Sequence, residues 1–246
     1  FPLFDDSDFA DINTVVLKAS FTDSFATRTF TGRYSPLDST YTRDVWMFDS
    51  QRAMGHVAPL ATYVHLYING LYWGVHYAVE RMDDASLASH LGGEREDWDV
   101  IKDFNELFRG DKVAWNAMFD LARQINTEPN KDAIYFALQG RNPDGALNPT
   151  KPVYLDVENL IDYMLLHLFA GVEDWPSHNW VAGRNRVDPG KGFQFFTWDQ
   201  EIALDGYFRD RTNVSNSFTP AELYSLLRQS PEFRLHFADR VQTHLF

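Results

Sequence analysis

Residues 63–80 read YVHLYINGLYWGVHYAVE, and this stretch constrains the fold more than any other in the chain. Two runs rich in Val, Ile, Leu, Tyr and Trp flank Asn69-Gly70. Asn and Gly tolerate the left-handed backbone that a type I′ turn requires at both central positions. The pattern predicts an antiparallel hairpin that belongs to a small sheet.

Weaker signals surround it. NTVVLKASF (13–21) reads as a strand, and STYTRDVWMFDSQRAMGH (39–56) as a helix that Gly55 can stop. RMDDASLASHLGG suggests a short helix ended by Gly92 and Gly93, and AWNAMFDLARQI (114–125) another helix. Residues 126–152 are rich in Asn, Pro, Gly and Asp and read as a surface excursion with some local order. In LDVENLIDYMLLHLFAGVEDW, Asp156 is a good N-cap. Leu160, Ile161, Met164, Leu165, Leu168 and Phe169 recur at helical spacing behind it, and Gly171 can end the helix. NWVAGRNR (179–186) and GFQFFTWD (192–199) are β-like runs joined by a Pro-Gly turn. Near the end, Thr219-Pro220 with Glu222 makes a capping box, and Ser230-Pro231 opens a further helix. Together these predict an α+β fold, with residues 155–246 mostly helical.

The chain has 246 residues, 44% of them hydrophobic, enough for one large domain or two lobes around a sizeable core. Its net charge is −13, which repels DNA and anionic membranes, so nucleic-acid binding is not expected. An anionic nucleotide would need a metal or local basic residues to offset that field. The absence of Cys excludes disulfides and thiolate metal sites. No apolar run is long enough to span a membrane. Both ends read as cut from a longer protein.

EDWPSHNW (173–180) carries the chemistry. Read from Asp174 it is D-x-x-x-x-N, the spacing of a protein-kinase catalytic loop, with Glu173 where an Arg usually stands. An Asp that caps a turn and an Asn that bonds its own backbone give the same spacing. The order of elements is more specific. An apolar helix leads to Asp174 and Asn179, then a hairpin delivers Asp199, 25 residues after Asp174. Phosphoryl transfer needs a divalent ion on the nucleotide phosphates, and such an ion takes hard oxygen ligands. An Asn carbonyl and a carboxylate on neighbouring segments supply them, while a second carboxylate faces the acceptor hydroxyl.

LYINGLYWGVHYAVERMD, EDWPSHNW and FFTWDQE together resemble the CotH kinase family, named for a bacterial spore-coat protein, and the resemblance runs from about residue 10 to the end of the chain. It implies an atypical protein-kinase-like fold of two lobes, a β-containing portion over 1–82 and a mostly helical one over 83–246. It implies transfer of the ATP γ-phosphate to a hydroxyl, Ser or Thr of a protein, with Mg²⁺ or Mn²⁺. It further implies an extracellular location or one on the cell or spore surface. By position, Asp174 looks like the catalytic-loop aspartate and Asn179 like a metal ligand. Asp199, in W-D-Q, looks like the metal-binding aspartate. Glu201 is either a further acidic group at the metal or a solvated charge, and His178 shapes the loop.

Glu80 ends the hairpin where a base or ribose would lie, and a salt bridge with Arg81 or another basic residue is its other reading. Lys18, in VVLKAS, fits the strand position of a phosphate-binding lysine, with a structural role as its other reading, and Lys102, in DVIKD, is a second candidate. Arg43 either reaches a phosphate or pairs with an acid. No G-x-G-x-x-G loop is present. The family carries a Gly/Ser/Arg/Lys-rich segment ahead of the region where this chain begins, and that segment is expected to supply phosphate contacts. Two other classes compete. A catalytically inactive kinase-like module for binding or coat assembly would keep the fold without the nucleotide contacts. A carbohydrate-active protein would use the 15% aromatic residues for stacking and Asp174 with Asp199 as an acid/base pair.

Overall fold

The computed structural model describes residues 3–4, 12–25, 39–205 and 209–246. The hairpin is β2 (Ala61–Ile68) and β3 (Leu71–Glu80), with φ of 51° at Asn69 and 79° at Gly70. Both values lie in the left-handed region that a type I′ turn demands. β1 (Val15–Lys18) pairs antiparallel with β3 and sets Lys18 opposite Tyr77, giving the order β1-β3-β2. It is shorter than the run 13–21, because Ser20 turns to a φ of 51° and leaves the extended conformation. Helix α1 (Arg43–Ala53) lies on this sheet. Val45 and Phe48 from the helix bury against Tyr77 and Val79 from β3. The helix begins four residues later than the stretch 39–56 and stops at Gly55, whose φ is 92°.

Asp83 caps α2 (Asp84–Leu91) in a reciprocal box with Ser86, and Gly92 at a φ of 87° ends it. A second antiparallel sheet follows, made of β4 (Trp98–Lys102), β5 (Glu106–Arg109), β6 (Trp180–Asn185) and β7 (Gln194–Thr197) in the order β5-β4-β6-β7. α3 (Val113–Arg123) precedes the polar excursion, which holds α4 (Lys131–Leu138) and a short bridge between Arg141 and Leu147. α5 (Val157–Phe169) starts where Asp156 accepts from the Asn159 N–H at 3.1 Å. Thr219 and Ser230 cap α6 (Pro220–Leu227) and α7 (Pro231–Leu245). The capping box of α6 is displaced by one residue. The Glu222 carboxylate accepts from the Phe218 N–H at 2.6 Å, and its two oxygens are shared with Arg123.

Trp115, Trp180, Phe193, Phe195 and Tyr163 fill the main core between α3, α5 and the second sheet. A smaller cluster of Met82, Leu87, Trp98, Val100, Val181 and Phe196 joins α2 to that sheet. Trp198 packs against this cluster and also against the core of the first sheet. The fold is α+β, with seven helices and two antiparallel sheets among the described residues. No helix among them is long and apolar enough to cross a membrane.

Candidate active site

α5 is apolar and almost wholly buried, so it sets the loop after it on a rigid base. Gly171, at a φ of 59°, turns the chain out of the helix. The loop is then fastened from several sides. Trp175 Nε1 donates to the Tyr163 hydroxyl at 2.8 Å, Trp180 Nε1 to the Pro176 carbonyl at 2.7 Å, and Arg211 to the Trp175 carbonyl at 2.6 Å. Within it, Asn179 Nδ2 donates to Asp174 Oδ2 at 2.8 Å and to the Asp174 carbonyl at 3.2 Å. Asn179 holds a φ of 67° to do so. The other oxygen, Asp174 Oδ1, is buried without a hydrogen-bond partner among the described residues. Burial pushes the Asp174 carboxyl up to about 6; His178 pulls it down, and the charge of Asp199 adds to the rise.

Asp199 arrives from β7 by a different route. The strand ends at Thr197, and Asp199 turns to a φ of 58°. Its Oδ1 lies 2.6 Å from Lys18 Nζ, and half of its side chain stays exposed. Lys18 also meets Asp44 Oδ2 at 2.6 Å and stands 3.9 Å from Glu201 Oε1. Burial by itself would lower the Lys18 pKa, but Asp44 and Asp199 outweigh it and hold the ammonium above its ordinary value. Asp44 is in turn fixed by the Tyr77 hydroxyl at 2.6 Å and by the Gln200 N–H at 2.8 Å. Burial, with the Asp44 charge behind it, raises the Tyr77 phenol and keeps it a donor. Gln200 Nε2 donates to the carbonyls of Asn179 at 2.6 Å and Trp198 at 2.8 Å. One buried amide thus joins the Asp174 loop to the Asp199 turn.

Between the two sheets lies a cavity of about 240 Å³. Val16 lines it from the first sheet and Val181 from the second, with Met82, Lys102, Phe108 and Trp198 around them. Trp198 precedes Asp199, so the cavity opens beside the charged cluster. Grooves of about 380 and 520 Å³ lie elsewhere and include none of these charged groups.

Asp174, Asn179, Asp199, Glu201 and Lys18 gather around one site, and Lys102 lines the adjoining cavity. Lys102 Nζ is 3.7 Å from Glu106 and 5.6 Å from the centre of the Phe108 ring. Glu80 is different. Its carboxylate is buried, receives His90 Nε2 at 2.9 Å on both oxygens and accepts from the Leu60 N–H at 3.4 Å. It does not line the cavity, and its partner is His90 rather than Arg81, the structural reading of that residue. The Arg81 guanidinium instead lies 5.7 Å from the Phe108 ring centre. Glu201 Oε2 accepts from the Thr22 N–H and hydroxyl at 2.8 and 2.9 Å, which turns that oxygen toward the first-sheet loop. Arg43 stands 3.8 Å from Asp23 and 3.6 Å from Asp205, the acid-pairing reading of that residue.

Two residues of this site gave no sequence signal. Asp44 is one acid in the first turn of an amphipathic helix, and Gln200 is an uncharged residue between two acids. Asp44 is singled out by its contacts with Lys18 of β1 and Tyr77 of β3, and Gln200 by its bonds to Asp44 and Asn179.

For a divalent cation, the Asn179 side-chain carbonyl and the Asp199 carboxylate are candidate oxygen donors, although Asp199 Oδ1 is already engaged by Lys18. That set is hard, as Mg²⁺ or Mn²⁺ requires, and such ions complete their shells with phosphate oxygens and water. Among the described residues no three His, Asp or Glu side chains surround a common metal position.

No curated protein matches the chain. The family described as CotH kinase protein matches residues 7–246, which spans both sheets, the cavity and every residue of the site. On that match the chain belongs to the CotH kinase protein family.

Proposed function

We propose that this chain is a phosphotransferase that moves the γ-phosphate of ATP to a hydroxyl acceptor. One observation carries this reading: Lys18, from a strand of one sheet, is ion-paired at 2.6 Å both to Asp44 on the adjacent helix and to Asp199 at the end of the other sheet. That arrangement places a lysine between two sheets, beside a cavity that could take a planar base. With a net charge of −13 and the carboxylates of Asp44, Asp199 and Glu201 around this lysine, a polyphosphate would need a divalent ion to offset the field.

In this reading the base lies between Val16 and Val181, with Met82 and Trp198 at its edges. Lys18 meets the phosphates, and Asp44 with Tyr77 keeps its ammonium aimed. Glu201 acts on Lys18 and Thr22 rather than on the ion. Asn179 and Asp199 would hold Mg²⁺ or Mn²⁺, which neutralises charge on the phosphates when bound. Asp174 is the base. Asn179 holds its Oδ2, and its Oδ1 has no partner among the described residues. The acceptor oxygen forms the new bond to the γ-phosphorus, the bond from that phosphorus to the β-phosphate bridge breaks, ADP leaves, and the proton goes to the Asp174 carboxylate. A carboxyl near 6 is ionised at neutral pH yet basic enough to accept that proton.

The test is transfer from labelled ATP with Mg²⁺ or Mn²⁺, comparing the wild-type chain with Asp174→Ala and Asp199→Ala. Label on a protein or peptide hydroxyl that both substitutions remove supports the reading. Equal transfer by all three proteins contradicts it.

A further inference from the structure

The turn KDFNEL, between β4 and β5, places a large apolar ring where folding alone would not leave it. Phe104 has a φ of 55° and Asn105 a φ of 61°, left-handed values that cost a β-carbon-bearing residue about 1 kcal/mol or more each. Specific bonds impose them. The Phe104 N–H donates to the Ser177 carbonyl at 2.7 Å, and Asp103 Oδ1 accepts from the Trp180 N–H at 3.2 Å. Asn105 Oδ1 accepts from Trp115 Nε1 at 2.9 Å, and its carbonyl accepts from Lys112 Nζ at 2.7 Å. The product of all this is a Phe104 ring that is 73% exposed. Its inner face lies parallel to His178, 7° from coplanar with centres 5.3 Å apart. His178 is itself set by Ser177 Oγ at 3.0 Å from its Nδ1, stands next to Asn179, and exerts its charge on Asp174. The ring therefore sits on the border between Asp174 and Asp103, the residue through which this turn lines the cavity.

We propose that Phe104, stacked on His178, is the platform for the acceptor, and that it takes an apolar or aromatic side chain close to the reacting hydroxyl of a peptide. This rests on the phosphotransferase reading above. A hydroxyl brought to the Asp174 loop carries its neighbours in the chain across the adjoining surface, where Phe104 is exposed. Many of the polar atoms on this turn and the facing loop are already engaged. Asp103 Oδ1, the Asn105 side-chain and main-chain oxygens, and the Ser177 carbonyl and hydroxyl already have partners. A sugar needs free donors and acceptors around its stacking face, and an aromatic or aliphatic side chain needs none. A polyanion is disfavoured by the net charge of −13.

The test uses the whole chain and a set of short serine peptides with Trp, Tyr, Leu or Ala at each position beside the serine. Binding is read by fluorescence anisotropy, and transfer from labelled ATP is read on the same peptides. The expected result is tighter binding of peptides with Trp, Tyr or Leu at one fixed position. Phe104→Ala should weaken these by roughly tenfold and flatten the preference, the size of an aromatic contact, with nucleotide affinity unchanged. Phe104→Trp should restore the preference, which a merely structural role would not do. Equal binding of all the peptides, an unchanged preference in Phe104→Ala, or displacement by a neutral oligosaccharide but not by peptide would overturn the platform. Preferential binding without transfer would leave the platform standing and remove the phosphotransferase reading. Transfer without preference would do the reverse.

Discussion

Asp174 and Asp199 reach one site from different supports. Asp174 hangs from a loop braced by the buried helix α5 and is pushed up to about 6. One of its oxygens is held by Asn179, and the other is buried without a partner among the described residues. Asp199 follows a strand end, keeps half of its side chain exposed and meets a buried ammonium at 2.6 Å. The two identical side chains therefore meet different surroundings. Asp174 is short of partners, which favours its protonated form, and Asp199 lies against an ammonium. The roles proposed for them, base and metal ligand, rest on that difference.

The comparison breaks most visibly at Asp199. Asp199→Ala should abolish measurable transfer, a fall of more than about 10⁴-fold in kcat, because charge on the transferring oxygens loses its stabilisation. Asp174→Ala should lower kcat by about 10²–10⁴-fold, the range of a general base. Steady-state assays on the same preparations rank the two. A larger loss at Asp174 would reverse the roles drawn here.

Asp44 sharpens the account of Lys18. Asp44→Ala leaves the Tyr77 hydroxyl unpaired and takes one of the two close carboxylates from a lysine whose side chain is 13% exposed. Removing one partner of a buried charge costs about 3–5 kcal/mol. Urea unfolding should register a loss of that size, and a change within experimental error would show that Asp199 alone satisfies Lys18.

The raised Asp174 carboxyl gives two opposing pH effects. As a base it works only when ionised, so kcat should fall about tenfold per pH unit below pH 6. For stability the sign runs the other way. Folding favours the protonated form, so the folded state is penalised above about pH 6, and the penalty fades as the pH falls to the ordinary carboxyl range near 4. Asp174→Asn should therefore raise the thermal midpoint at neutral pH, and the gain should vanish at about pH 4. A gain that is independent of pH would assign it to packing instead.

Local signals made much of this fold legible. Asn69-Gly70 marked the hairpin because its left-handed turn is a property of two adjacent residues. Asp156, Thr219 and Ser230 marked helix starts because a cap acts over three residues. β4 and β5 left no such mark. β4 is five residues long and finds its main partner in β6, far along the chain, so nothing near WDVIK announces a strand. The site divides in the same way. Asp174, Asn179 and Asp199 could be named from spacing and element order. Asp44 and Gln200 enter through contacts between distant segments, and the contact of Glu80 with His90 from the following helix was equally invisible in the sequence.

Nucleotide affinity separates the two aspartates if they divide the work within one site. Calorimetric titration of ATP with Mg²⁺ into wild type, Asp174→Ala and Asp199→Ala separates binding from turnover. The account predicts that Asp174→Ala binds within about twofold of wild type, since a base acting on the acceptor adds little to nucleotide affinity, and that Asp199→Ala binds at least about tenfold more weakly. Loss of binding in Asp174→Ala with retention in Asp199→Ala would contradict it.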